Sequence, residues 1–543
     1  MPAFARTRLL VIIMVTLLVG IGAFACGPSE DSPGDPAAPT DEKAGGTLVF
    51  GRLQEPETLD IHKTPWLDEL MGSMHATLLY RAEDGGYLPG LAEDWEISDD
   101  EKEITLTLRD DVTFHDGEPF NAEAVRFTFE RMTDPDMASP GAHNWGPAEA
   151  VEVIDEYTVK IVYSEVYARA LESLTSSYLA PLSPAAVEEH GEDFGTNPVG
   201  AGPFKFERWD LGSEVVVVRN EDFDWGPGFA ENTGAPFVER IEFRFIPDET
   251  ARVTALETGE LDLIAMAPPR DVLRFEEDSD FVVVPVMATG IVYFGINCSK
   301  PPWDDYRLRQ AVAWGTAARE EIIETAFEGL AIPIYGHLAP HIHPGYYPEV
   351  EDISYKYDPE KTAEILEDLG YEMGSDGYFE KDGEVLELEE VWITDDPAYQ
   401  RVAVVIQEKL AEAGIKMNIV QMDDATLFSR THEGVHDGMV AYYGFQDPDI
   451  LFYFFHTSRL DSTNRIHYQN PEIDDLLERG RAILDFDERF EIYREVQEIL
   501  LEDAPWVPLL VREEPLIHSL KVNDLNVHPV TSGIIWNDMW ITQ

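Results

Sequence analysis

Basic residues are what this sequence lacks most. Only 39 lysines and arginines stand against 105 aspartates and glutamates in 543 residues, a net charge of −66. Nucleic acid is itself a polyanion and needs a basic footprint, so nucleic-acid binding is excluded. Cysteine is nearly absent, with Cys26 and Cys298 the only two. One bridge at most could form, and it would only staple a tail to the body, so no disulfide framework holds the fold. After residue 19 no run is long and apolar enough to span a bilayer. No phosphate-cradling loop, no G-x-G-x-x-G and no G-x-S-x-G occurs, so the sequence signatures of nucleotide binding and of serine hydrolases are missing.

What is present is a core. The chain is 44% hydrophobic and 11% aromatic, which rules out disorder as the meaning of its acidity. A uniformly acidic globular surface suits concentrated salt, where the screening length shrinks to roughly 3 Å. The charge therefore reads as a halophile's habitat and carries no chemistry of its own.

The N-terminal residues address the chain. Arg6 and Arg8 precede the apolar residues 9–19, and Ala23-Phe24-Ala25-Cys26 follows. That is the layout of an export signal over residues 1–26. A cysteine directly after a small residue resembles a bacterial lipobox, although Ala23 stands where leucine is usual and Phe24 where a small residue is usual. The expectation is a lipid on Cys26 and an anchor on the outer face of the cytoplasmic membrane. Residues 27–45, rich in Pro, Gly, Asp, Glu, Ser and Ala, read as a flexible tether.

From Thr47 onward strand and helix patterns alternate. Ile104, Leu106 and Leu108 alternate with threonines, which predicts a half-buried strand. Asn121 predicts an N-cap, with Val125, Phe129 and Met132 on one helical face. Val151 and Tyr157 open the two arms of an expected hairpin. Residues 241–245, 251–256 and 261–264 read as strand, helix and strand, a βαβ unit. Val402, Val405, Ile406 and Leu410 predict a helix closed by Gly414, and Phe490, Tyr493, Val496 and Leu500 another. A body of about 500 residues exceeds one core and divides into two or three domains of α/β type.

Several segments then stand in a familiar order. Gly45-Gly46-Thr47-Leu48-Val49 leads to Glu55-Pro56-Glu57-Thr58-Leu59-Asp60. Pro89-Gly90-Leu91-Ala92-Glu93-Asp94-Trp95 and Leu108-Arg109-Asp110-Asp111-Val112-Thr113-Phe114-His115-Asp116-Gly117 follow. Asn197-Pro198-Val199-Gly200-Ala201-Gly202-Pro203-Phe204, Tyr293-Phe294-Gly295-Ile296-Asn297 and Asp447-Pro448-Asp449 come later. Over residues 46–543 the chain resembles the family 5 extracellular solute-binding proteins, the dipeptide/oligopeptide-type receptors of ABC importers. The resemblance implies a two-lobed clamshell with an extra domain inserted in the first lobe. The expected limits are 46–88 for the first part of lobe I, 89–195 for the insertion and 196–290 for the second part of lobe I. Lobe II takes 291–508, and 509–543 return to lobe I. Crossings between the lobes are expected near residues 288–297 and 506–512. Ligand would be trapped on hinge closure and handed to a permease and its ATPase.

The resemblance also implies where ligand would sit. Asp447 and Asp449 follow the expected strand over residues 439–444, in a region that lines the cleft of the peptide receptors and holds an aspartate for the ligand ammonium. The same Asp-Pro-Asp also reads as a turn and helix cap. The spacing before Asp447 is one residue short of the peptide-receptor pattern, and Thr394-Asp395-Asp396-Pro397 is acidic where a base would meet a ligand carboxylate. Peptide, cationic solute and oligosaccharide therefore all stay open, with metal chelates beside them. Trp66, Trp145, Trp392, Tyr443 and Phe445 are candidate stacking surfaces, and Asn297 a candidate polar contact.

Three patterns suggest metal. His432-Glu433-Gly434-Val435-His436 fits H-E-x-x-H, which would make the chain a surface zinc hydrolase, but that motif needs a continuous helix and Gly434 interrupts it. His337, His341 and His343 cluster in a proline-broken loop. Asp222-x-Asp224-x-Gly226 lacks the closing glutamate of a calcium loop. The reading that results is a binding protein without catalytic residues, metal or cofactor.

Overall fold

The computed structural model describes residues 43–340, 342, 345–445 and 447–543. The expected export signal, Cys26 and most of the expected tether lie outside the described residues, as do His341 and His343. The body, Asp41–Gln543, is one compact unit.

Its first sheet has seven strands in the order Phe281–Val284, Leu516–Ser519, Leu263–Ile264, Thr47–Arg52, Arg240–Phe245, Glu214–Arg219 and Phe204–Asp210. The expected βαβ unit is there. Asp248 caps its helix, Glu249–Glu257, by accepting from the Ala251 amide at 2.7 Å. The strand Thr47–Arg52 slots between the unit's two strands and runs parallel to both.

The second sheet runs Ala331–Pro333, Trp506–Arg512, Gly290–Ile296, Gly438–Gly444, Glu387–Ile393 and Lys416–Gln421. Helices cover both faces, so its strands are apolar on both sides. Along Gly290–Ile296, Val292, Phe294 and Ile296 join the core under the helices Tyr306–Thr316 and Pro397–Glu412. Ile291 and Tyr293 enter a separate core with Ile450–Phe455 and Phe486–Asp503.

A third sheet of four strands, Ala92–Ile97, Glu103–Leu108, Thr158–Tyr163 and Ala148–Asp155, includes the predicted hairpin. The helix Ala122–Thr133 packs on it, and Asn121 caps that helix through the amides of Glu123 and Ala124. The architecture is the expected α/β clamshell, and this third sheet falls within the residues expected for the insertion.

The crossings are shorter than the sequence suggested. Residues 285–289 and 513–515 join the two large sheets, while Gly290–Ile296 and Trp506–Arg512 lie inside the second. Trp506–Arg512 thus runs through the expected limit at 508/509. The two crossings pair with each other: the Ala288 amide donates to the Arg512 carbonyl at 3.0 Å and the Glu514 amide to the Val286 carbonyl at 2.7 Å. Gly290 faces Gly444 where the second sheet begins, and a Cβ on Gly290 would stand 1.4 Å from the Tyr443 carbonyl oxygen.

Candidate functional site

A cavity of about 810 Å³ lies between the lobes. The first lobe and the inserted domain supply Trp66, His75, Arg81, Arg169, Glu172, His528 and Trp536, among others. The second lobe supplies Tyr442, Gly444, Phe445 and Asp447, and Thr289 comes from the crossing. Hydroxyls from Ser173, Thr175, Ser176, Ser177, Thr531 and Ser532 add polar lining.

Of the eight candidate ligand residues, Trp66, Phe445 and Asp447 stand on this wall. Trp66 is 79% exposed, unusual for tryptophan, and projects at the rim. Phe445 is half-buried, with the Arg169 guanidinium 4.4 Å from its ring centroid.

The other five belong to cores. Trp145 packs edge-on against Phe129 at 5.1 Å, and its indole N–H points at the Met132 sulfur. Trp392 is buried beside His436 and donates to Glu390 at 3.0 Å. Tyr443 is buried and its hydroxyl donates to the His337 carbonyl. Asn297 holds a loop: its amide donates to the Gly434 and His436 carbonyls at 3.0 and 2.9 Å, while its oxygen accepts from Ser299. Asp449 is fully buried, 2.9 Å from Arg481 Nε. Apolar packing or a local hydrogen-bond partner has claimed the first four, and an ion pair with Arg481 holds Asp449.

Asp447 is also taken. Arg489 grips it with two hydrogen bonds of 2.6 and 3.0 Å, both partners buried. Burial alone would raise its pKa, but the Arg489 and Arg169 guanidiniums outweigh that and hold it below the usual value. For Asp449 burial dominates, and its pKa is pushed up to about 6. Glu172, buried against Arg81 at 2.6 Å, is also raised, burial again outweighing its arginine.

Sequence reading missed Arg81, Arg169, Glu172 and Arg489. A signal existed. In a chain so poor in bases, Arg169 sits in Tyr167-Ala168-Arg169-Ala170-Leu171, an apolar setting that makes a charge conspicuous.

The metal patterns do not assemble. Thr431–Glu433 is a single 3₁₀ turn and Gly434 is left-handed, at φ 63°. His432 is exposed and His436 is buried, so the two imidazoles do not share a helical face. His337 is buried against Phe455. Asp222 is exposed and pairs with Lys205 at 3.3 Å. Asp396 caps the helix Pro397–Glu412. Among the described residues no group of three His, Cys, Asp or Glu is placed to hold a metal ion.

Comparison with known proteins is consistent with this geometry. Residues 86–463 match the profile of "Bacterial extracellular solute-binding proteins, family 5 Middle". The chain is 29% identical over 446 residues to "Heme-binding protein A" of Haemophilus influenzae, covering 78% of each chain. It is 28% identical over 462 residues to "Glutathione-binding protein GsiB" of Salmonella typhi, covering 82% of this chain and 85% of that one. A solved structure of "ABC transporter-associated periplasmic binding protein DppA" from Helicobacter pylori, in complex with the peptide STSA, superposes with a TM-score of 0.73 at 26% identity. That superposition covers 92% of this chain and 99% of the other.

Proposed function

This chain belongs to the family 5 extracellular solute-binding proteins of bacteria, and from that premise we propose that it captures a peptide or a similar-sized organic solute for an ABC importer. The observation that carries the reading is the cavity itself. It is walled by both lobes, and the two crossing segments are hydrogen-bonded into one hinge. A solute bound there touches both lobes at once, so binding favours the closed form. Closure without chemistry, followed by delivery to a permease driven by an ATPase, is the function this arrangement supports.

Trp66 and Phe445 offer the apolar surfaces for such a ligand, one at the rim and one deep. The lobe limits drawn from the sequence stand in this proposal, with the final return beginning after Arg512. So do a lipid on Cys26, which would hold the receptor near its permease, and a saline habitat for a surface of this charge.

A metal chelate is the second reading. His75, His143 and His528 stand on the cavity wall. Burial lowers the pKa of all three, His75 to about 3, so their imidazoles are neutral. A chelate would bring most of its metal's ligands with it.

The test is a thermal-shift screen in molar salt with pools of short peptides, oligosaccharides and metal chelates, since a ligand of the native state raises the melting point. The binding pool must also contract the particle in small-angle scattering. A ligand that binds without contraction, or three silent pools, defeats the reading.

A further inference from the structure

Arg81, Arg169, Glu172 and Asp447 line the inner wall of the cavity, and the charges on and behind that wall do not balance. Arg81, Arg169, Arg481 and Arg489 gather around Glu172, Asp447 and Asp449, four guanidiniums against three carboxylates. This local excess is positive in a chain whose net charge is −66. Three of the arginines hold a carboxylate closely: Arg81 holds Glu172 at 2.6 Å, Arg489 holds Asp447 at 2.6 Å, and Arg481 holds Asp449 at 2.9 Å.

Arg169 is the fourth. Asp447 Oδ1 and Asp449 Oδ2 lie 4.0 and 3.9 Å from it, within ion-pair distance but beyond hydrogen-bond reach, and each aspartate has a nearer arginine, Arg489 at 2.6 Å and Arg481 at 2.9 Å. Its Nε and Nη1 find no hydrogen-bond acceptor among the described residues, although its side chain is only 6% exposed. A guanidinium cannot shed its proton to escape such a position. Buried N–H groups left without an acceptor are costly, and an anion arriving from the cavity removes that cost. The Phe445 ring covers one face of the guanidinium, which leaves the N–H groups in its plane to donate.

We infer that Arg169 anchors a carboxylate of the ligand, so that the solute presents an anionic group to this end of the cavity. This rests on the reading of the cavity as the ligand site. It reverses the polarity expected from the sequence, in which Asp447 would meet a ligand ammonium. That aspartate is committed to Arg489, and the cation beside it is the group left to be satisfied. Arg169 thereby selects among solutes that fit the cavity equally well.

The test uses the full chain in molar potassium chloride with randomised tetrapeptide pools in three forms: free, C-terminally amidated and N-acetylated. A companion set pairs sugar acids with their neutral sugars. The free and N-acetylated pools are expected to raise the melting point and the amidated pool to fail. For an individual hit, amidation is expected to weaken binding on the order of ten- to a hundredfold, the worth of hydrogen bonds to a charged group. Arg169→Gln abolishes that discrimination and Arg169→Lys keeps part of it, with the melting point of each unliganded variant showing that it folds. Equal binding of free and amidated peptides overturns the inference, as does silence of the acetylated pool alone. Arg169→Gln weakening every ligand alike also overturns it, and identifies Arg169 as a clasp between the lobes. If every peptide pool is silent, the peptide reading fails by itself. Binding of sugar acids over neutral sugars then upholds the carboxylate anchor, and any other result from that set overturns it.

Discussion

Arg489 holds both oxygens of Asp447, at 2.6 and 3.0 Å, and both side chains are buried. The fork-on-carboxylate geometry gives direction as well as charge. It fixes the chain at the point where the strand Gly438–Gly444 has ended and the helix Ile450–Phe455 is about to begin, so it shapes the inner wall of the cavity. An aspartate that the sequence offers for a ligand is in fact part of the frame.

Removing one partner of that pair leaves the other buried and uncompensated. Arg489→Gln is expected to lower unfolding stability by about 3–5 kcal/mol, read from denaturant midpoints in molar salt. Asp447→Asn removes the charge from the carboxylate and leaves two arginines that cannot shed their protons, so it should cost at least as much as Arg489→Gln. Equal and small losses for both would mean that the pair contributes little to the frame.

Buried histidines set the acid limit. Burial lowers the pKa of His62, His75 and His337 to about 3 and of His115 and His436 to about 4. Unfolding restores ordinary values near 6.5, so between these limits the unfolded chain binds more protons and stability falls as pH drops below about 6.5. Asp449 works the other way. Its native pKa near 6 exceeds the unfolded value, so the native state holds the extra proton and acidification from neutral pH to about 4 favours folding. Glu172, Asp68 and Asp424 are also raised by burial and act in the same sense as Asp449, but the five histidines outnumber these four carboxylates, and stability should decline from pH 6.5 to 4. His337→Leu should flatten that decline by about one proton, and Asp449→Asn should steepen it. Unfolding free energies measured across pH give the slopes, and a flat profile would reject the assignment.

Gly290 begins the strand that enters the second sheet, and Gly444 faces it. Because a Cβ at Gly290 meets the Tyr443 carbonyl at 1.4 Å, Gly290→Ala must push two strands apart. A loss of about 1–3 kcal/mol is expected, the range for overpacked sites. Gly444 and Thr289 are on the cavity wall, so ligand affinity should fall as well. Wild-type stability and affinity in this variant would show that the strands separate freely there.

The surface charge makes a separate prediction. With 105 acidic groups against 39 basic ones, self-repulsion grows as screening weakens. The melting point should fall steeply from molar to tenth-molar potassium chloride and recover only partly with sucrose, which does not screen charge. A melting point indifferent to salt would detach the acidity from habitat.

Much of the scaffold was legible because local chemistry fixes it. Asn121 and Asp248 cap their helices as their positions suggest, and the alternation through Ile104, Leu106 and Leu108 is a strand with those three side chains buried. The site was legible only in part. Trp145 and Trp392 carry the same information in sequence as Trp66, and only the packing of distant elements decides that two are core and one is exposed. Asp447 meets Arg489 from 42 residues away and approaches Arg169 from another lobe. Arg169 stands out in its apolar neighbourhood, but nothing local says which partner the topology will bring to it.

The first sheet takes a strand from each end of the body. Leu516–Ser519 sits between Phe281–Val284 and Leu263–Ile264, next but one to Thr47–Arg52. That sheet cannot be completed until nearly the last residue has been made. The strand Thr47–Arg52 must wait for its full sheet, because the contacts that close it span almost the entire sequence, whereas the third sheet is complete within residues 92–163.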